Sequence, residues 1–119
     1  MGASSAGHPS WQFRFTHATT DGVTTIRCSG RLRQEWCETF KQQVKALIPG
    51  CRRMVFDLTD LESMDSSGLA AIVSLYASCR TAGCPLELIN LSRKVRELLG
   101  LTKVLSLFEA CGSYMVKIP

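Results

Sequence analysis

Three patterns follow one another between Arg53 and Leu91. Arg53 to Leu58 (RMVFDL) is a nearly continuous apolar run of strand length, the composition of a central strand covered on both faces. Leu69, Ile72, Val73 and Tyr76 then recur at i, i+3, i+4 and i+7, the spacing of an amphipathic helix. Gly83 and Pro85 end that helix, and Leu86 to Leu91 (LELINL) reads as a second strand. Strand, helix, strand with short connections is a βαβ unit, which requires two parallel strands joined by a crossover.

The flanking segments extend this unit. Trp11, Phe13 and Phe15 alternate with Gln12, Arg14 and Thr16, and after Asp21-Gly22 the β-branched run Val23 to Cys28 completes a hairpin closed at Gly30. Trp36, Phe40, Val44 and Leu47 mark a first helix stopped by Pro49-Gly50. Ser92 caps a third helix carrying Val95, Leu98 and Leu99, with Gly100 at its end, before the apolar run Val104 to Phe108. Gly112 to Pro119 reads as an edge strand or extended chain rather than a long helix. The fold class is therefore α/β: an N-terminal hairpin leading into a mixed sheet of about four to six strands with helices packed against it.

A chain of 119 residues has room for one domain, and 45% apolar with 20% charged residues is a globular balance. No stretch approaches the roughly 18 apolar residues of a membrane span. Residues 1–10 (MGASSAGHPS) lack a basic start and an apolar middle and read as a disordered lead-in rather than an export signal. With no export signal, Cys28, Cys37, Cys51, Cys79, Cys84 and Cys111 read as reduced, buried thiols in a cytoplasmic chain. No C-x-x-C pair occurs, and His8 and His17 lie near the lead-in, so no metal is assigned. The net charge of +4 is mild and its basic residues are dispersed. It suits acidic protein partners as well as a nucleic acid, and direct nucleic-acid binding is not expected.

Asp65-Ser66-Ser67-Gly68 lies between the apolar strand and the helix, where open α/β sheets place their sites. An Asp or Ser there caps the helix by about 1 kcal/mol without any further role. The same position also favours a phosphate, because free backbone N–H groups of the first turn point outward.

The segment VFDLTDLESMDSSGLAAIVSLYASCRTAGCPLELINLSRKVRELLGLTKVLSLFE resembles the core of the STAS family, in its anti-sigma-factor antagonist branch. The resemblance covers about Trp11 to Phe108 and is carried by M-D-S-S-G-L between strand and helix, then C-P-L-E-L-I-N-L and S-x-x-V-R-E-L-L-G-L. It implies a single STAS domain over residues 11–119 and a non-enzymatic protein-protein switch in bacterial transcription regulation. In that scheme the unphosphorylated form binds an anti-sigma factor with serine kinase activity and releases the sigma factor. Phosphorylation of Ser66, with Ser67 as fallback acceptor, switches binding off, and a serine phosphatase resets it. The partner-binding residues are then Asp65, Ser66, Ser67 and Gly68, with a weak homodimer left open.

Arg31-Leu32-Arg33 departs from the family, which often has an acidic pair at this place. The reversed sign places Arg31 and Arg33 among the partner-binding candidates and points to a more acidic partner, although two solvated arginines explain it as well. Trp36 is read as packing. The alternative function is a STAS subunit of a lipid-transport or stress-signalling assembly without a phosphoswitch. Neither G-x-S-x-G nor a placed histidine base accompanies Ser66 or Ser67, so no enzyme is expected. No phosphate-binding G-x-x-x-x-G-K-[ST] loop occurs, and no cofactor is assigned.

Overall fold

The computed structural model describes residues 9–101 and 116–117. In chain order these form β1 (Arg14–Thr20), β2 (Val23–Leu32), α1 (Gln34–Lys45), β3 (Arg53–Met64), α2 (Ser66–Thr81), β4 (Leu86–Ile89), α3 (Arg93–Leu101) and β5 (Val116–Lys117). The sheet runs in that same strand order, with β1 antiparallel to β2 and every later neighbour parallel. The expected mixed sheet led by a hairpin is the fold observed.

The hairpin turns on Asp21 and Gly22, whose φ angles of 54° and 80° are those of the tight turn that matches strand twist. His17 lies within β1, paired with Ile26, and not beside the lead-in. Gly30 does not close β2 but sits inside it at a register shift, with φ of 83°. A Cβ there would collide with the Gln12 carbonyl, and Arg31 N–H donates to the Trp11 carbonyl at 2.8 Å. Glycine thus lets residues 11–12 lie across β2, and the strand continues to Leu32.

α1 and α2 lie against the sheet face that carries Ile26, Met54, Phe56 and Leu88. Phe40 of α1 meets Phe13, Phe15 and Phe56 at ring-centroid distances of 5.2, 5.1 and 5.9 Å, contacts worth about 0.5–1.5 kcal/mol each beyond burial. Trp36 packs half-buried against the same core. From α2, Leu69, Ile72, Leu75 and Tyr76 are buried. β3 alternates, with Met54, Phe56 and Leu58 buried but Val55 and Asp57 only half-buried. The expectation of a strand sealed on both faces is corrected accordingly, since the two helices share one face.

β3 also runs to Met64, six residues beyond the apolar stretch, because the extended end of β2 pairs with it through Arg31 with Ser63 and Leu32 with Met64. α3 is capped as its sequence implies, Val95 N–H donating to Ser92 Oγ at 3.2 Å. Val116–Lys117 pairs with β4, in keeping with a terminal strand. Residues 1–8, Val104 to Phe108 and Cys111 lie outside the described residues, while Pro9 and Ser10 enter a turn closed by Gln12 N–H on the Pro9 carbonyl.

Candidate functional site

The loop expected between strand and helix is a single residue. Met64 ends β3, Ser66 begins α2, and Asp65 alone makes the turn, in extended conformation (φ −96°, ψ −175°). Its N–H donates to the Leu32 carbonyl at 3.2 Å, which ties the junction to the end of β2. Its carboxylate has two tasks. Oδ1 accepts from Gly68 N–H at 2.9 Å, the capping bond of α2, and Oδ2 accepts from Gln34 N–H at 3.1 Å, in the first turn of α1. Arg33, the N-terminal flanking residue of α1, supplies no side-chain cap of its own. One carboxylate therefore serves two helix N-termini, each equivalent to roughly half a positive charge.

Gly68 is buried, and the reason is steric: a Cβ would lie 2.6 Å from the Leu32 carbonyl oxygen. The glycine admits β2 to the first turn of α2, so its close backbone approach is internal. Ser66 is exposed on the first helical position and Ser67 is half-buried on the second. The structure thus brings Asp65, Ser66, Ser67 and Gly68 together with Arg33 and Gln34 at the meeting of two helix N-termini.

The two arginines differ. Arg33 is exposed at the head of α1, whereas Arg31 is paired through Nε with Glu62 Oε1 at 3.1 Å across β2 and β3. Arg27 pairs with Asp60 at 3.3 Å in the same way. Such exposed pairs contribute about 0–1 kcal/mol; their effect here is to balance the surface beside the junction.

Two neighbours were not legible as site residues. Cys37 is buried beneath the junction and donates to the Arg33 carbonyl at 3.2 Å. Burial, then the nearby Asp65 carboxylate, pushes its thiol pKa up. Gln34 meets Asp65 only through tertiary pairing, and the sequence carries no signal for it. Farther down β3, Asp57 Oδ1 accepts from Thr59 N–H (3.1 Å), Thr59 Oγ1 (2.6 Å) and Asn90 Nδ2 (3.2 Å). Burial pulls its pKa upward, but these donors and the Arg27 charge outweigh it and hold the carboxyl below its ordinary value.

Among the described residues, no group of three His, Cys, Asp or Glu side chains is placed to hold a metal ion. None of the described helices is long and apolar enough to cross a membrane. The Ser66 hydroxyl is open to solvent on the first turn of α2.

A family model described as "Mlab, STAS domain" matches residues 15–108. Over 93 residues the chain is 29% identical to the anti-sigma F factor antagonist of Paenibacillus polymyxa, covering 74% of this chain and 80% of that one. A Thermotoga maritima protein of known structure is similar at 27% identity and a TM-score of 0.73, over 87% of this chain and 84% of that one. The anti-sigma factor antagonist SpoIIAA in its unphosphorylated form shares the fold at 20% identity and a TM-score of 0.67, over 88% and 87% of the two chains. Its phosphorylated Bacillus form does so at 19% and 0.63, over 88% and 90%.

Proposed function

The chain belongs to the STAS domain family, and we propose that within it the protein is an anti-sigma-factor antagonist whose state is set by phosphorylation of Ser66. In this reading residues 11–119 act as one domain in the bacterial cytoplasm. The unphosphorylated face captures an anti-sigma factor with serine kinase activity, and a serine phosphatase restores that face after modification. The observation that carries the reading is the position of Ser66: exposed, on the first residue of α2, directly after a carboxylate already committed to capping.

A phosphate there is tolerated by the fold. It adds about −1.5 to −2 charge beside the N–H groups of the first turn of α2, where the helix favours an anion. The surface is changed all the same. An interface fitted to a neutral hydroxyl must desolvate a doubly charged group one residue from the Asp65 carboxylate. Each 1.4 kcal/mol lost costs about tenfold in affinity, so a few such units empty the complex. Arg33, exposed on the same rim, is suited to an acidic group on the partner. The names of the relatives support this choice, one an anti-sigma F factor antagonist and one a protein solved with and without phosphate.

The test is peptide mass spectrometry on protein recovered from its native cell, comparing wild type with Ser66→Ala and Ser67→Ala and identifying co-purified chains. Phosphate on Ser66, absent from Ser66→Ala, retained in Ser67→Ala and anticorrelated with capture of a kinase-type anti-sigma factor, is the expected result. An unmodified Ser66 under every growth condition, with membrane-transport or large-assembly partners, rejects the switch and selects a STAS subunit of a lipid-transport or stress-signalling assembly.

A further inference from the structure

Three cysteines meet at the end of the sheet opposite Ser66. Cys51 stands two residues ahead of β3, Cys84 two residues ahead of β4, and Cys79 lies in the last turns of α2. β3 and β4 are parallel neighbours whose pairing starts at Met54 with Leu86, and Met54 N–H already donates to the Pro85 carbonyl at 2.8 Å. The approach segments run side by side and bring Cys84 close to both Cys51 and Cys79, while the Cys51 thiol donates to the Arg53 carbonyl at 3.0 Å and the Cys79 thiol to Met54 Sδ at 4.0 Å. Neighbouring strands run about 4.8 Å apart, a spacing that lies within the roughly 4.4–6.8 Å between the Cα atoms of a disulfide.

The three differ in access. Cys79 and Cys84 are fully buried, whereas Cys51 is half-buried and lines an open cavity of about 210 Å³ with Thr19 and Thr24. They differ in acidity as well. Burial raises the Cys51 pKa, but the Thr24 side chain, Cys84 and the neighbouring backbone bring it below the ordinary thiol value. The Thr24 hydroxyl is in turn held against Thr19 Oγ1 at 2.8 Å. Burial pushes Cys84 to about 12 and Cys79 to about 11. The accessible thiol is thus also the one of the three whose pKa burial does not leave raised, and access and acidity together select for oxidation.

We propose that Cys51 and Cys84 form a peroxide-reactive pair, Cys51 taking the oxidant and Cys84 closing the disulfide. The Cys51 thiolate attacks one oxygen of hydrogen peroxide, the O–O bond breaks, and the departing hydroxide takes a proton to become water, leaving a sulfenic acid. The Cys84 sulfur then attacks Cys51 Sγ, the S–O bond breaks, and the Cys84 proton leaves with the hydroxyl as a second water. The two thiols lose two electrons and the peroxide gains them. The product ties the turn before β3 to the connection between α2 and β4, at the opposite end of α2 from Ser66.

The experiment treats the folded, reduced full chain with hydrogen peroxide, blocks remaining thiols and maps tryptic peptides without reduction. Arg52 and Arg80 place Cys51, Cys79 and Cys84 in three separate peptides, so the linkage is assigned directly. The expected product links the Cys51 and Cys84 peptides, and Cys51→Ser loses it completely while leaving Cys84 reduced. A Cys51 that stays a thiol in excess peroxide, one driven to sulfinic or sulfonic acid with Cys84 unlinked, or a Cys79–Cys84 linkage overturns the pair. The wild-type map decides between these outcomes whether or not the variant folds.

Discussion

At its C-terminal end β3 passes into α2 through Asp65 alone, whereas at its N-terminal end it is reached from α1 through residues 46–52, a turn that contains Pro49 and Gly50. The first junction is held by backbone and carboxylate bonds to three elements and presents a hydroxyl to solvent. The second is longer, is tied back by Arg52 N–H on the Gly22 carbonyl at 2.8 Å, and holds a half-buried thiol. A single strand and the helix packed on it thus separate a surface suited to a change of charge from one suited to a change of oxidation state. The lesson is that the two chemistries are kept apart: the one-residue junction carries the exposed hydroxyl, and the longer turn carries the half-buried thiol.

Substitutions at the two ends of α2 break this contrast most directly. Gly68→Ala puts a methyl group into the Leu32 carbonyl oxygen; it should cost about 1–3 kcal/mol as overpacking, read as a lowered urea midpoint. Gly83→Ala meets nothing within 4 Å, and its φ of 73° leaves only the left-handed penalty, about 1 kcal/mol. Equal losses at the two positions would show that the Asp65 end is no tighter than the other.

Asp65→Ala removes a cap from two helices at once and should cost roughly 1–2 kcal/mol, about one for each helix. Asp65→Asn keeps an oxygen for Gly68 N–H but turns an NH2 group toward Gln34 N–H, and about half the loss should return. Thermal unfolding of the pair measures this; an Asn variant as unstable as Ala would deny the double cap.

The smallest effects are pH-dependent. Cys51 alkylation in the folded chain should reach half its limiting rate below pH 9.0, the ordinary thiol value, with Cys84 unlabelled until unfolding. For Asp57 the folded pKa lies below its ordinary value of 3.8. Its contribution to stability is therefore complete above that value and lost as pH falls through the depressed folded one. Asp57→Asn should flatten the acid end of the stability profile and leave neutral pH less affected by comparison. An unchanged acid limb would remove Asp57 from the account.

Much of the architecture was written locally. Asp21-Gly22 specified the hairpin turn, the spacing of Leu69, Ile72 and Tyr76 specified α2, and Ser92 specified its cap. What escaped was non-local. Leu61, Ser63 and Met64 look like loop by composition and become strand because β2 extends past Gly30 to pair with them. Asp65 could be read as a cap for the helix that follows it, but not for a helix that begins 31 positions earlier. Likewise Cys51 and Cys84 are unremarkable until the pairing of β3 with β4 brings their approach segments together. Position Ser66 was legible because its neighbours in sequence are also its neighbours in space.

The one-residue junction at Asp65 also limits how the chain can change in length. Each added residue turns a helix by about 100°, so one insertion between Met64 and Ser66 would swing the apolar stripe of α2 away from Met54 and Phe56. It would also move Gly68 out from under Leu32. Residues 46–52 have no such gearing and can absorb an insertion in their exposed turn. Among descendants of this chain, length variation should accumulate before β3 and be purged after it.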